Sequence, residues 1–131
     1  MPGPPYFKPD NRAWIKVAWT TPQTTQVLEF LLDSGANRSA VQLPNALGLT
    51  LRSIVRAGTA SAASQQMMLM GGGTMEFDVT DSQTGTATTV RYTGDVLVTS
   101  VDVVGTEVLA ALRLQFWMNY SATPSRPELT T

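Results

Sequence analysis

The sequence predicts an all-β, or mostly β, domain: a small closed barrel of short strands with one short helix near its C-terminal end and one lobe per chain. Three observations carry this. Segment 13–19 (AWIKVAW) alternates, with Ile15, Val17 and Trp19 on one face and Trp14, Lys16 and Ala18 on the other. The chain holds twelve Val and eighteen Thr, β-branched residues that suit a pleated surface. Turn sequences such as TTPQTT (20–25) and DSQTG (81–85) separate short apolar runs throughout.

The elements follow in order. TQVLEFLL (25–32) reads as a second strand, and its last three residues form an apolar run, as in a strand buried on both faces. It stops at Asp33-Ser34-Gly35. PNALGL (44–49) has room for a single helical turn. Residues 51–57 and 65–70 are strand candidates separated by small residues (GTASAAS, 58–64), which predicts a hairpin with a tip nearly bare of bulk. Gly71-Gly72-Gly73 predicts a strand break or hinge. TMEFDVT (74–80) alternates again, and 86–93 and 95–104 give further strands. Thr106 to Leu112, after Gly105, is the best helix, and LQFWMNY (114–120) is a last strand. Both ends read as flexible segments: residues 1–12 are proline-rich, and residues 121–131 (SATPSRPELTT) carry two prolines and no period. The domain is therefore expected to span 13–120.

At 131 residues the chain suits one domain, and 43% hydrophobic against 15% charged residues supplies a core rather than a disordered chain. A net charge of -1 provides no general field for nucleic acid or an anionic membrane. No apolar stretch approaches the roughly 20 residues of a membrane span, and no secretory h-region opens the chain. With no Cys there are no disulfides, thiolate metal sites or cysteine nucleophile. With no His there is no Ser-His-Asp or Cys-His chemistry and no H-E-x-x-H zinc helix. No metal and no cofactor is expected. Proton chemistry falls to carboxylates, Tyr, or the two lysines, Lys8 and Lys16.

FLLDSGA (30–36) is the strongest signal. A buried apolar strand runs straight into a carboxylate, which is thereby partly desolvated. Gly35 removes a side chain where a ligand or another backbone can approach, and Ser34 sets a hydroxyl beside the acid. Asp-Ser-Gly is also a common turn sequence. Three further features give it context: two strands precede the Asp, a small-tipped hairpin spans Ala57 to Gly71, and a second apolar run enters a glycine at VVGTEVLAAL (103–112). The scattered arginines read as surface charge, the Met67–Met70 run as core or pocket filling, and Trp14, Trp19 and Trp117 as core or interface residues.

In order and spacing, LLDSGANRSAV (31–41), the hairpin around 57–71 and VVGTEVLAAL (103–112) resemble the retropepsins, the aspartic proteases of retroviruses and long-terminal-repeat retrotransposons and their domesticated cellular relatives. The resemblance covers about residues 13–116, and ALGLTL (46–51) is similar to a segment in many retrotransposon members. It implies the acid-protease fold, with Asp33 as the catalytic residue and Ser34 and Gly35 as its support. It implies substrate contacts from Gly35, Ala36 and Asn37 and from the flap residues Ser61, Ala62, Ala63 and Ser64. Arg38, Gly105, Thr106 and Glu107 fall beside the site.

Pepsin-like catalysis needs two facing carboxylates, and this chain has one Asp-Ser-Gly; Asp95 and Asp102 lack a following Gly. The expectation is a homodimer with the two Asp33 residues across a two-fold axis, sharing one proton, and activity on the acid side of neutral. The substrate expected is extended polypeptide, including the protein's own polyprotein, in the cytoplasm or a virus-like particle. The chain departs from the familiar viral pattern in carrying Asn37 after Ala36 and Thr106 after Gly105, so the family's usual ion pair there is lost; Arg38 and Glu107 are placed for a rearranged one. Only one strand candidate follows the helix, where viral members interleave terminal strands between subunits. The alternatives are a non-catalytic dimerisation or peptide-docking module on the same fold, the protease domain of ubiquitin-shuttle proteins, and a small ligand-binding barrel in which Asp33 is only a turn residue.

Overall fold

The computed structural model describes residues 2–59 and 62–131. The described residues form ten strands, one short 3-10 turn and one helix. In order they are β1 (Tyr6–Phe7), β2 (Ala13–Thr20), β3 (Thr25–Leu32), β4 (Ala40–Gln42), the 3-10 turn Leu43–Ala46, β5 (Thr50–Thr59), β6 (Ala62–Thr80), β7 (Ala87–Thr99), β8 (Val103–Val104), α1 (Thr106–Ala111), β9 (Gln115–Asn119) and β10 (Arg126–Thr130). Strands β2, β3, β8, β4, β7 and β6 are joined in that order, and β2 pairs again with β6, which closes a six-stranded barrel. The expected all-β barrel with a single short helix is the architecture observed. Closure removes the sheet edges that would otherwise need covering.

The barrel forms because its strands carry alternating apolar faces. Along β2, Ala13, Ile15, Val17 and Trp19 are buried in strict alternation. Met75, Phe77 and Val79 do the same along the second half of β6. These residues meet Phe30, Val41, Val104 and Val108 in one core. Trp19 is fully buried, and its indole N–H donates to the Asn45 carbonyl at 2.8 Å, so its large apolar area is gained without an orphaned donor. β3 is exposed on alternate residues until Phe30, Leu31 and Leu32, all buried. From that point both faces of the strand are covered: Phe30 and Leu32 pack in the main core and Leu31 in a second cluster with Ala40, Leu69, Leu97 and Val103. β8 pairs alongside, with Leu31 opposite Val103 and Leu32 opposite Val104.

Two expected breaks are absent. Segments 65–70 and 74–80 are one continuous strand, β6, which passes through Gly71-Gly72-Gly73. The glycines make a bulge: the pairing with β7 shifts register between Met70 and Gly73, and Gly72 takes φ +100°, a conformation that side-chain-bearing residues rarely adopt. Likewise β7 runs unbroken from 87 to 99, and only its expected far end separates as β8.

The two ends also differ from expectation. β1 pairs with β2, Pro5 is buried, and the Gly3 N–H donates to the Asp78 carboxylate at 3.0 Å. With the Thr89 hydroxyl donating to the other oxygen at 2.9 Å, that contact satisfies Asp78, which is buried on a strand face that alternation assigns to solvent. The C-terminal residues 126–130 form β10, antiparallel to β9 and touching β6 at Thr130 and Thr80. Pro127 and Leu129 are buried there. The ordered β-structure thus extends beyond 13–120 in both directions. Trp117, by contrast, is 44% exposed on β9.

Candidate functional site

β3 delivers Asp33 to the mouth of the barrel. The Asp33 N–H donates to the Val104 carbonyl at 3.2 Å, the last rung between the parallel β3 and β8. The chain then turns sharply: Asp33 Oδ1 accepts the Gly35 N–H at 2.9 Å, and the Asp33 carbonyl accepts the Ala36 N–H at 3.2 Å. This is the local geometry that Asp-x-Gly favours. Asp33 is half-buried, while Ser34 and Gly35 are exposed.

The loop is clamped from behind by the junction of β8 and α1. The Thr106 N–H donates to the Ala36 carbonyl at 2.8 Å, and the Gly105 N–H to Ser39 Oγ at 2.8 Å. A Cβ on Gly105 would lie 2.6 Å from the Arg38 carbonyl carbon and 2.9 Å from the Ala36 oxygen. Only glycine allows the helix start to sit this close to the loop backbone. Glu107 reaches back across the junction: its two carboxylate oxygens accept the Ser39 N–H at 2.8 and 2.7 Å, and Oε1 accepts the Ser39 hydroxyl at 2.6 Å. Among the described residues Arg38 and Glu107 form no ion pair; Ser39 occupies the carboxylate instead. That corrects the expected Arg38–Glu107 pairing. Ser39 is fully buried, and its own carbonyl accepts the Leu97 N–H at 3.0 Å.

A buried carboxylate braces the same strands. Asp102, between β7 and β8, accepts the Gln42 N–H at 2.8 Å, the Gln42 amide at 3.2 Å and the Asn45 amide at 3.1 Å on each oxygen. Its carbonyl accepts the Leu31 N–H at 2.9 Å. Asp102 therefore couples the end of β3 to β4 and the 3-10 turn. Nearby, burial followed by the charges of Glu107 and Asp95 pushes the Tyr92 phenol up, with Arg38 opposing, so Tyr92 stays neutral in ordinary buffers.

The Asp33 loop opens onto a groove of about 890 Å³. Asp33, Gly35, Ala36, Asn37 and Arg38 form one wall. The stems of the β5–β6 hairpin, through Arg56, Ala57, Gln65, Gln66 and Met67, form another. Val101 and Val103 also line it. A small apolar cluster of Leu31, Ala40, Leu69, Leu97 and Val103 sits beneath, with Ala36, Ala57 and Met67 packed on it. The hairpin and the Asp loop thus share one apolar base.

Of the residues singled out from sequence, the structure brings Asp33, Gly35, Ala36, Asn37 and Arg38 to the groove and puts Gly105, Thr106 and Glu107 behind the loop as its support. The expected flap tip is only partly placed. Ser61 lies outside the described residues, and Ala62, Ala63 and Ser64 are placed by their backbone in β6. Sequence reasoning missed Ser39, Arg56 and Asp102. A serine directly before the apolar run Ala40-Val41 was the available signal for Ser39. Asp102 had none, since its partners lie 57 and 60 positions away.

Among the described residues no group of three acidic side chains is placed to hold a metal ion, and no helix is long and apolar enough to cross a membrane. Neither the protein-family models nor the curated proteins give a match to this chain.

Proposed function

We propose that the chain is an aspartic endopeptidase of the retropepsin type, active as a homodimer on extended polypeptide. The observation that carries this is the position of Asp33: a half-buried residue on a turn fixed by backbone hydrogen bonds, opening into a groove lined on another side by the stems of a hairpin. In this reading an extended strand of peptide lies in the groove, held through main-chain hydrogen bonds.

One Asp33 carboxylate is ionised and takes a proton from a water lying between the two subunits. The hydroxide oxygen bonds to the scissile carbonyl carbon, while the protonated Asp33 of the partner subunit gives its proton to the carbonyl oxygen. The resulting tetrahedral diol returns a proton to the amide nitrogen through the carboxylates, and the C–N bond breaks. No covalent bond to the enzyme forms. Ser34, exposed beside Asp33, is free to donate across the two-fold axis to the loop of the partner and so keep the two carboxylates coplanar.

The test is proteolysis of an unstructured polypeptide by purified protein, with a statine-type mimic of the tetrahedral intermediate as inhibitor and Asp33→Asn as control. Cleavage that is lost in the variant and blocked by the mimic supports the reading. Cleavage unaffected by Asp33→Asn, or no cleavage by a protein that is monomeric at high concentration, overturns it.

A further inference from the structure

Three charged side chains line the groove: Asp33, Arg38 and Arg56. The excess is cationic, in a protein whose overall charge is -1. Elsewhere the arginines of the β-sheet find carboxylates: Arg52 with Asp95 at 3.6 Å, Arg91 with Glu76 at 3.6 Å and Arg126 with Glu128 at 2.6 Å. Among the described residues Arg12, Arg38, Arg56 and Arg113 have no carboxylate partner, and of these Arg38 and Arg56 line the groove. Behind the loop the Glu107 carboxylate accepts from Ser39 and makes no ion pair with Arg38.

From this we infer that the groove selects acidic segments: extended peptides with Asp or Glu flanking an apolar residue. The apolar residue sits on Val101 and Val103, and the acidic side chains meet Arg38 and Arg56. A guanidinium presents a planar fork of donors that matches a carboxylate. Neither arginine must first break an internal ion pair to engage one. In a two-fold dimer each subunit contributes the same pair of arginines, so the preference appears on both sides of the scissile bond. The inference rests on the groove being a peptide channel, as proposed above, and does not depend on hydrolysis.

The experiment compares two labelled peptides identical except for Glu or Gln at the flanking positions. Binding is measured by fluorescence anisotropy to Asp33→Asn, and cleavage is measured with the wild type. The expected result is a Glu-over-Gln preference of about five- to tenfold at low ionic strength. It should shrink in salt and approach one in Arg38→Gln/Arg56→Gln. The salt series on the wild type needs no variant, and Arg38→Lys/Arg56→Lys, which keeps the charge, should retain part of the preference. A wild-type ratio at or below one overturns the inference. Cleavage without acidic preference overturns it and leaves the protease reading standing. Acidic preference in binding without cleavage upholds it and removes the protease reading. Neither binding nor cleavage removes both.

Discussion

Glu107 holds Ser39 by both its backbone N–H and its hydroxyl, at 2.6 to 2.8 Å, across 68 positions of sequence. Ser39 Oγ in turn accepts the Gly105 N–H. Removing the hydroxyl by Ser39→Ala leaves that buried N–H without an acceptor, a loss of about 2 kcal/mol in denaturant unfolding. In a double-mutant cycle, Ser39→Ala with Glu107→Gln should show coupling above about 1 kcal/mol, and Arg38→Gln with Glu107→Gln coupling within about 0.5 kcal/mol. The reverse order would mean that the loop is held by Arg38 after all.

Gly105→Ala is expected to be among the most damaging single substitutions. The new methyl meets main-chain atoms of Ala36 and Arg38, which cannot rotate away as a side chain can. Prising the helix from the loop costs about 3 kcal/mol. Thermal melting checks this, with Gly72→Ala as a comparison. At Gly72 a Cβ meets nothing within 4 Å, and only the positive φ is penalised, so its cost should be nearer 1 kcal/mol.

Asp102→Ala strips the acceptor from the Gln42 N–H and from two side-chain amides in a buried place. A stability loss of about 3 kcal/mol follows. Asp102→Asn, which keeps one acceptor oxygen but sets an amide against the Asn45 amide, should fall between Ala and wild type. Equal stability of all three proteins would show that the cage is incidental.

The contact of β1 with the barrel is expected to depend on pH. Tyr6 donates to Glu29, and Lys8 donates to the other oxygen at 3.1 Å. The Tyr6 hydrogen bond, followed by that from Lys8, holds the Glu29 carboxyl below its ordinary 4.5, while burial, then Glu29, pushes the Tyr6 phenol up. For Glu29, lowered on folding, the stabilisation is present above pH 4.5 and is lost as pH falls through the folded value. For Tyr6, raised on folding, it is present below pH 10 and is lost on going further alkaline. Tyr6→Phe should move the Glu29 titration, followed by carbon NMR, back toward 4.5. No movement would show that Lys8 alone sets it.

Much of this was legible in the sequence where one face of a strand is wet and the other dry. The alternation of β2 and the loss of alternation at Phe30-Leu31-Leu32 placed both strands and the carboxylate that follows. What escaped depends on long-range pairing. SATPSRPELTT has no apolar period, yet Pro127 and Leu129 are buried because β9 and the end of β6 supply the other walls. Three glycines in a row read as a break, since nothing local distinguishes a bulge from an end. Arg38 and Glu107, opposite in charge and close in the fold, read as a pair, and a neutral serine between them made the shorter contacts.

The continuity of β6 has a mechanical consequence for the groove. One half of that strand is a stave of the barrel, and the other is an arm of the hairpin above Asp33. The arm has no joint of its own apart from the bend at Gly71 and Gly72. Any displacement of the arm therefore loads the stave directly, so the position of the hairpin and the resistance of the barrel to unfolding are tied to the same nineteen residues.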